Sequence, residues 1–275
     1  MGVDRRQFIK LAGISAALGL GGTVGFQLLR PGALDAAERT PTPYQMIFPK
    51  EQGNSDVKPN PRALKGRRWG MAIDMRKLTV ESARAAIEAC NYYHNIPDIP
   101  GKQNIKWIWL APYANVFPEV ENPWANPEIK EAQFIVMCNH CDNPPCVRVC
   151  PTKATFQRPD GIVMMDMHRC IGCRFCMAAC PYGSRSFNFR DPRPFIKKEY
   201  PRYPTRTRGV VEKCTFCSER LAVGELPACA EASGGAMVFG DVDDAGSDLR
   251  KLLRSRYSIR RKPNLGTNPQ VYYLV

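Results

Sequence analysis

The sequence predicts an α+β fold of two nested modules with long loops, and three observations carry that expectation. Eleven of the twelve cysteines fall between Cys138 and Cys229 in tight runs; scattered pairs would suit disulfides, whereas clusters of this kind suit metal. Asp160-Gly161-Ile162-Val163-Met164-Met165-Asp166 reads as a turn and a short strand feeding one of those runs. Ile73-Asp74-Met75-Arg76-Lys77-Leu78 aligns with Met165-Asp166-Met167-His168-Arg169-Cys170, the mark of an internal repeat. At 275 residues with 44% hydrophobic content the chain can bury a core of its own, so the cysteines do not compensate for a tiny fold.

At the N-terminus, Asp4-Arg5-Arg6-Gln7-Phe8-Ile9-Lys10 precedes nineteen uncharged residues, Leu11 to Leu29, five of them glycine. Paired arginines ahead of a mildly apolar stretch predict a twin-arginine export signal over residues 1–37. The protein is then expected in the periplasm or on the outer face of the cytoplasmic membrane, associated with that membrane. Nineteen residues could also cross a bilayer, and an ordinary anchor with accidental arginines is the plainer reading. No clean small-x-small site follows, since Leu34 or Asp35 falls at the third position back, so cleavage and retention as an anchor both stay open. Residues 38–68 read as an extended linker, with five prolines from Arg39 to Arg68, and folded structure is expected from near Trp69.

The strongest cysteine run is Cys170-x2-Cys173-x2-Cys176-x3-Cys180-Pro181. This is the bacterial ferredoxin pattern, in which three cysteines bind one cubane and the fourth, before proline, reaches a second. Zinc usually takes sulfur in two Cys-x2-Cys pairs, while three sulfurs within seven residues wrap a corner of a larger cluster. Cys138-x2-Cys141-x4-Cys146-x3-Cys150-Pro151 is the partner run with two extra residues. Together they predict an inner, two-cluster module over 138–204. One 4Fe-4S cluster is expected on Cys138, Cys141, Cys146 and Cys180, the other on Cys170, Cys173, Cys176 and Cys150. Strand, cysteine loop and short helix is the ferredoxin unit, which makes the nested modules bacterial-ferredoxin-like.

Cys214-x2-Cys217-x11-Cys229 resembles the 138–150 run with a longer middle, and Ser233 stands where its fourth cysteine is expected. The cysteine left over is Cys90, at the end of the helix-compatible stretch Glu81–Cys90. Taken alone, Cys90 would be a buried apolar residue. The repeat, however, places Leu78 where a ferredoxin run begins and puts Cys90 at the Cys180 position, two residues late. An earlier run has thus lost its first three cysteines and kept its fourth. The cluster that those three and the residue at Ser233 would have held vanishes as a unit. Cys90, Cys214, Cys217 and Cys229 form the remaining set, so the outer module, 69–137 and 205–275, retains a single cluster. Twelve cysteines divide into three sets of four, and three 4Fe-4S clusters are the expected cofactors.

The formal charge of +13 counts every cysteine as neutral. With four basic and two acidic residues removed in 1–37, about +11 remains, and each cluster with four thiolates carries roughly two negative charges. The loaded protein then comes near +5, so much of the basicity balances the cofactors. A nucleic-acid partner is not expected, and a zinc-structured nucleic-acid binder, the reading from another class, conflicts with the export signal and with the run at Cys170.

From Trp69 to Val275 the chain resembles the four-cluster ferredoxin-like (NrfC/PsrB-type) electron-transfer subunits of membrane-bound respiratory complexes. The residues that carry the resemblance are Cys138-Asn139-His140-Cys141-Asp142-Asn143-Pro144-Pro145-Cys146, Asp160-Gly161-Ile162-Val163, Cys214-Thr215-Phe216-Cys217 and Leu265-Gly266-Thr267-Asn268-Pro269-Gln270-Val271-Tyr272-Tyr273-Leu274. Within the family, the signal, the degenerate first run and three retained clusters most resemble the exported iron-sulfur subunits of Dsr-type complexes of sulfur-metabolising microbes. The resemblance implies partners: a polytopic quinone-interacting membrane subunit, a multihaem cytochrome c and further subunits of the membrane complex. The lost first run departs from the four-cluster pattern and argues against the alternative role, service to a molybdopterin reductase or dehydrogenase.

His94, His140 and His168 read as local hydrogen-bonding residues, since the cysteine count is complete without them. Arg190 to Arg208 and Arg250 to Lys262 each hold seven basic residues; both suit docking faces for acidic partners or lipid head groups, and equally solvated surfaces that balance cluster charge. Trp107 and Trp109 read as core. The sequence has no Cys-x-x-Cys-His for a c-type haem and no nucleophile elbow, phosphate loop or dinucleotide fingerprint. The expectation is an electron-transfer subunit without a catalytic site of its own.

Overall fold

The computed structural model describes residues 60–120 and 122–275. The expected export signal, and the expected linker as far as residue 59, lie outside the described residues. The fold is α+β. In chain order its elements are β1 (Trp69–Asp74), α1 (Val80–Tyr93), β2 (Ile108–Pro112), α2 (Tyr113–Val116), α3 (Pro127–Glu131) and β3 (Gln133–Met137). There follow α4 (Pro145–Arg148), β4 (Thr155–Gln157), β5 (Val163–Met165), α5 (Phe175–Ala178), β6 (Ser186–Phe187) and β7 (Val211–Glu212). The last are α6 (Ser218–Leu221), α7 (Ala228–Ala232), β8 (Met237–Asp241), α8 (Asp248–Ser255), β9 (Ser258–Ile259) and β10 (Val271–Leu274).

The largest sheet joins the two ends of the described chain. Its order is β8-β1-β10-β9, with β1 parallel to β10 and antiparallel to β8. All six residues of β1 are buried because both faces are covered. Trp69, Met71 and Ile73 point into the main core with Phe239 and Tyr273, while Ala72 on the other face meets Leu249 of α8, as strand alternation requires. Small residues on that face set the depth of the helix: a Cβ at Gly240 would lie 2.9 Å from that of Leu249. The remaining strands form two-stranded antiparallel pairs, β2 with β3, β4 with β5 and β6 with β7.

Residues 60–68 form no helix or strand but are fastened to the body. Leu64 N–H donates to the Leu221 carbonyl at 2.9 Å, and the N–H groups of Arg67 and Arg68 donate to the Asp241 carboxylate at 2.8 and 3.1 Å.

A buried polar knot ties the segments on either side of the cysteine runs. The Glu212 carboxylate accepts from Arg206 Nε and from Trp107 Nε1, each at 2.9 Å, and from the Asn188 amide. Arg206 also donates to the carbonyls of His94 and Asn95, which fixes the C-terminal end of α1. Trp107 is fully buried in the main core and Trp109 packs against it half-buried. Among the described residues no helix is long and apolar enough to cross a membrane.

Candidate metal centres

Each cysteine loop is bent by the same local device. The residue before the second cysteine is left-handed in all three: His140 (φ 41°), Gly172 (φ 73°) and Phe216 (φ 52°). A chain turned this way points successive thiols at one point, and a residue other than glycine, Asn or Asp pays strain for it. Gly172 has a second reason to be glycine, since a Cβ there would sit 2.5 Å from the Gly209 carbonyl oxygen. Short helices follow the turns: α4 carries Cys146, α5 carries Cys176 and α7 carries Cys229.

Cys138, Cys141, Cys146 and Cys180 line a single cavity together with Asn139, Val163, Tyr182, Ser184 and Arg185. Burial pushes the Cys141 thiol up to about 12, with further push from Cys138, Cys146 and Cys180. Cys150, Cys170 and Cys176 pack into one cluster with Val163, Met165 and Val211, and Cys173, of the same run, is exposed. Cys150 is held below the ordinary thiol range: burial opposes this, but the Thr155 N–H, 3.5 Å from its sulfur, and Thr152 outweigh it.

Cys90 meets the third run. It lies on the buried stripe Ala83, Ala86 and Cys90 of α1, which is started by a Thr79–Ser82 capping box. Its thiol is raised well above its ordinary value by burial first, then by Cys229, Cys214 and Cys217. All four sulfurs of this group are buried, and burial also raises Cys214, Cys217 and Cys229. Four buried cysteines drawn from two segments far apart in sequence match the donor chemistry of an iron-sulfur cluster, which takes them as thiolates. The donor set therefore fits that cofactor. Ser233 is buried and satisfied within its own turn, donating to the Ala230 carbonyl at 2.7 Å and accepting from Met237 N–H at 2.9 Å.

The cavity group packs against both of the others. Cys146 shares a buried cluster with Cys150, Cys170 and Cys176, and Cys138 packs against the core that holds Cys90, Cys214 and Cys229. The cavity group thus lies in the middle.

The histidines behave as hydrogen-bonding residues. His140 Nδ1 accepts from Val163 N–H at 3.1 Å and its ring stacks on Phe216 with centroids 3.7 Å apart. Burial, then Lys213 and Arg185, hold His140 well below its ordinary value, so it is neutral. His94 bridges the Cys90 carbonyl at 2.8 Å and the Glu219 carboxylate at 2.9 Å. His94, Cys217 and Glu219 offer ligand atoms within 4.8 Å of one another, but His94 and Glu219 are already paired and Cys217 belongs with the sulfur group. His168 is exposed.

Sequence reasoning passed over two residues beside these groups, Arg185 and Lys213. Arg185 follows Cys180 by five residues and Lys213 immediately precedes Cys214, but with 39 Lys and Arg in the chain that adjacency carried no signal.

Residues 131–192 match the family described as "4Fe-4S dicluster domain". The chain is 45% identical over 230 residues to the Hdr-like menaquinol oxidoreductase iron-sulfur subunit 1 of Archaeoglobus fulgidus, covering 75% of this chain and 83% of that protein. It is 37% identical over 232 residues to the menaquinone reductase iron-sulfur cluster-binding subunit of Nitratidesulfovibrio vulgaris, covering 75% and 88%. To Protein NrfC of Escherichia coli it is 34% identical over 212 residues, covering 76% and 81%. Cysteine groups of cluster-binding chemistry and relatives of this length agree: the chain belongs to the NrfC/PsrB-type family of iron-sulfur electron-transfer subunits of oxidoreductase complexes, and is not a catalytic subunit.

Proposed function

We propose that the chain is a three-cluster relay, DsrO-like, between a polytopic quinone-interacting membrane subunit and a multihaem cytochrome c in a Dsr-type respiratory complex of sulfur metabolism. The observation that supports this reading is the packing of Cys90 into the buried core that holds Cys214 and Cys229, which leaves all twelve cysteines assignable in fours. In it the inner module of 138–204 holds two 4Fe-4S clusters and the outer module holds one, on Cys90, Cys214, Cys217 and Cys229. When bound, the clusters supply the one-electron chemistry. The chain supplies thiolates, burial and hydrogen bonds, which set where each centre sits and how readily it is reduced.

The names of the relatives from Archaeoglobus fulgidus and Nitratidesulfovibrio vulgaris, with menaquinol and menaquinone in them, support a quinone-linked partner. Quinone chemistry in the bilayer needs a partner to build the site, since no helix of the described residues crosses a membrane. The end of the row at Cys173 suits the contact with that partner, because Ile171 is 68% and Phe175 59% exposed beside it. The opposite end is where a fourth cluster would have faced a peripheral catalytic subunit, and its absence argues that no molybdopterin subunit docks there. Twin-arginine export and an outer-face location complete the proposal.

Mild-detergent purification from native membranes tests it. A multi-span protein and a haem protein should accompany the chain, at about twelve irons per chain. Sixteen irons, stoichiometric zinc or copurification with a molybdopterin subunit would overturn it. Replacing Arg5 and Arg6 by lysine should leave folded protein in the cytoplasm.

A further inference from the structure

Two buried basic side chains, Arg185 and Lys213, lie beside the cysteine groups. Arg185 is 5% exposed and lines the middle cavity. Its Nη1 donates to Thr155 Oγ1 at 3.1 Å and its Nη2 has no protein partner. The side chain lies beside Cys138 and Cys146 in the cavity wall and close to the charge of Cys176. It therefore stands between the middle group and the group of Cys150, Cys170, Cys173 and Cys176. Lys213 is fully buried. Its Nζ donates to the Val163 carbonyl, in the wall of the same cavity, and to the Cys214 carbonyl at 2.6 Å. It stands between the middle group and that of Cys90, Cys214, Cys217 and Cys229.

Such burial of an arginine and a lysine is costly without a counter-charge, and neither ion-pairs with a described carboxylate. A thiolate-bound cluster carries negative charge, and one added electron makes it more negative, so a fixed cation alongside favours the reduced form. Arg185 lines the cavity of the middle group and Lys213 holds the carbonyl of Val163 in its wall, whereas each end group has one of the two cations beside it. The end groups also have an opposing influence: the Glu219 carboxylate lies within 4.8 Å of Cys217 at one end, and Cys173 opens to screening water at the other.

We infer that Arg185 and Lys213 are positioning residues that make the middle centre, on Cys138, Cys141, Cys146 and Cys180, the first of the three to take an electron. The inference rests on the three-cluster reading, and iron content tests that reading separately: a preparation without about twelve irons fails the reading, not the ordering.

In protein with the full iron content, a dithionite titration followed by electron paramagnetic resonance should show one centre reduced first. Its signal should then be split by each of the two centres reduced later, because only the middle centre adjoins both. Arg185→Gln and Lys213→Gln should each lower this first centre by about tenfold or more in its reduction equilibrium, which is about 59 mV for a one-electron couple. Each should also lower one end centre, a different one in the two variants, and Arg185→Lys should restore the potentials lost in Arg185→Gln. The titration of the unaltered protein decides the ordering even where a variant fails to assemble. A first signal that one later centre leaves unsplit, or glutamine variants with unmoved potentials, would overturn the inference.

Discussion

Two stretches of the chain start alike and then diverge. After β1, the Asp74 carboxylate accepts the N–H of Arg76 at 3.1 Å; after β5, that of Asp166 accepts the N–H of His168 at 2.9 Å. The second stretch then makes the left-handed turn at Gly172 and a four-residue helix, α5, before Cys180. The first has Val80 at the position of Gly172 and goes straight into the fourteen-residue α1, with Cys90 near its end. A cysteine loop is thus a costly conformation that its ligands justify. Where the chain has Leu78 and Val80 at the corresponding positions, it takes up a capped amphipathic helix, whose cost is met by local propensity and packing.

The largest effect should come from stripping iron. Hydrogen exchange is expected to show residues 138–150 and 170–180 losing protection, while the capped first turns of α1, ahead of Cys90, and the sheet of β1, β8 and β10 keep theirs, since capping and apolar packing hold them. Equal loss in both would break the contrast. Next, Cys90→Ser should remove about four irons or convert one cluster, and Ser233→Cys should restore none, because three other ligands are missing there. Unchanged iron in Cys90→Ser would make this cysteine a mere core residue.

A third test adds one methyl group. Gly172→Ala meets the Gly209 carbonyl and a left-handed φ, which costs about 1–3 kcal/mol and should loosen the centre of Cys170, Cys173 and Cys176. Val80→Ala, at the equivalent place in α1, should cost under 1 kcal/mol or about nothing.

Fourth, acid should act on Asp74. Burial opposes ionisation of Asp74, but hydrogen bonds from Arg256 and Arg76 N–H win and hold its carboxyl below the usual range. The folded state therefore binds the proton less readily than the unfolded state. Its stabilisation is present above the usual carboxylate value and is lost as pH falls through the lower folded value. Asp74→Asn should be less stable at neutral pH and should lose less between pH 5 and 3 in thermal melts, with no change in iron. Last, Thr79→Ala should cost about 1 kcal/mol from the lost cap, again at constant iron.

Cysteine spacing and the repeat around Asp74 and Asp166 were enough to read an α+β metal-binding chain, and to bring Cys90, far from the runs in sequence, to the third of them. This works because ligand geometry fixes spacing and local backbone shape, and both leave marks on neighbouring residues. The parallel pairing of β1 with β10, which sets Met71 opposite Val271, left no such mark. Nor did the burial of Arg185 and Lys213 among many surface cations, or the knot of Glu212 with Arg206 and Trp107. Those depend on which distant segments meet, and a side chain's charge acquires its effect only from the low-dielectric surroundings and the neighbours that the tertiary structure gives it.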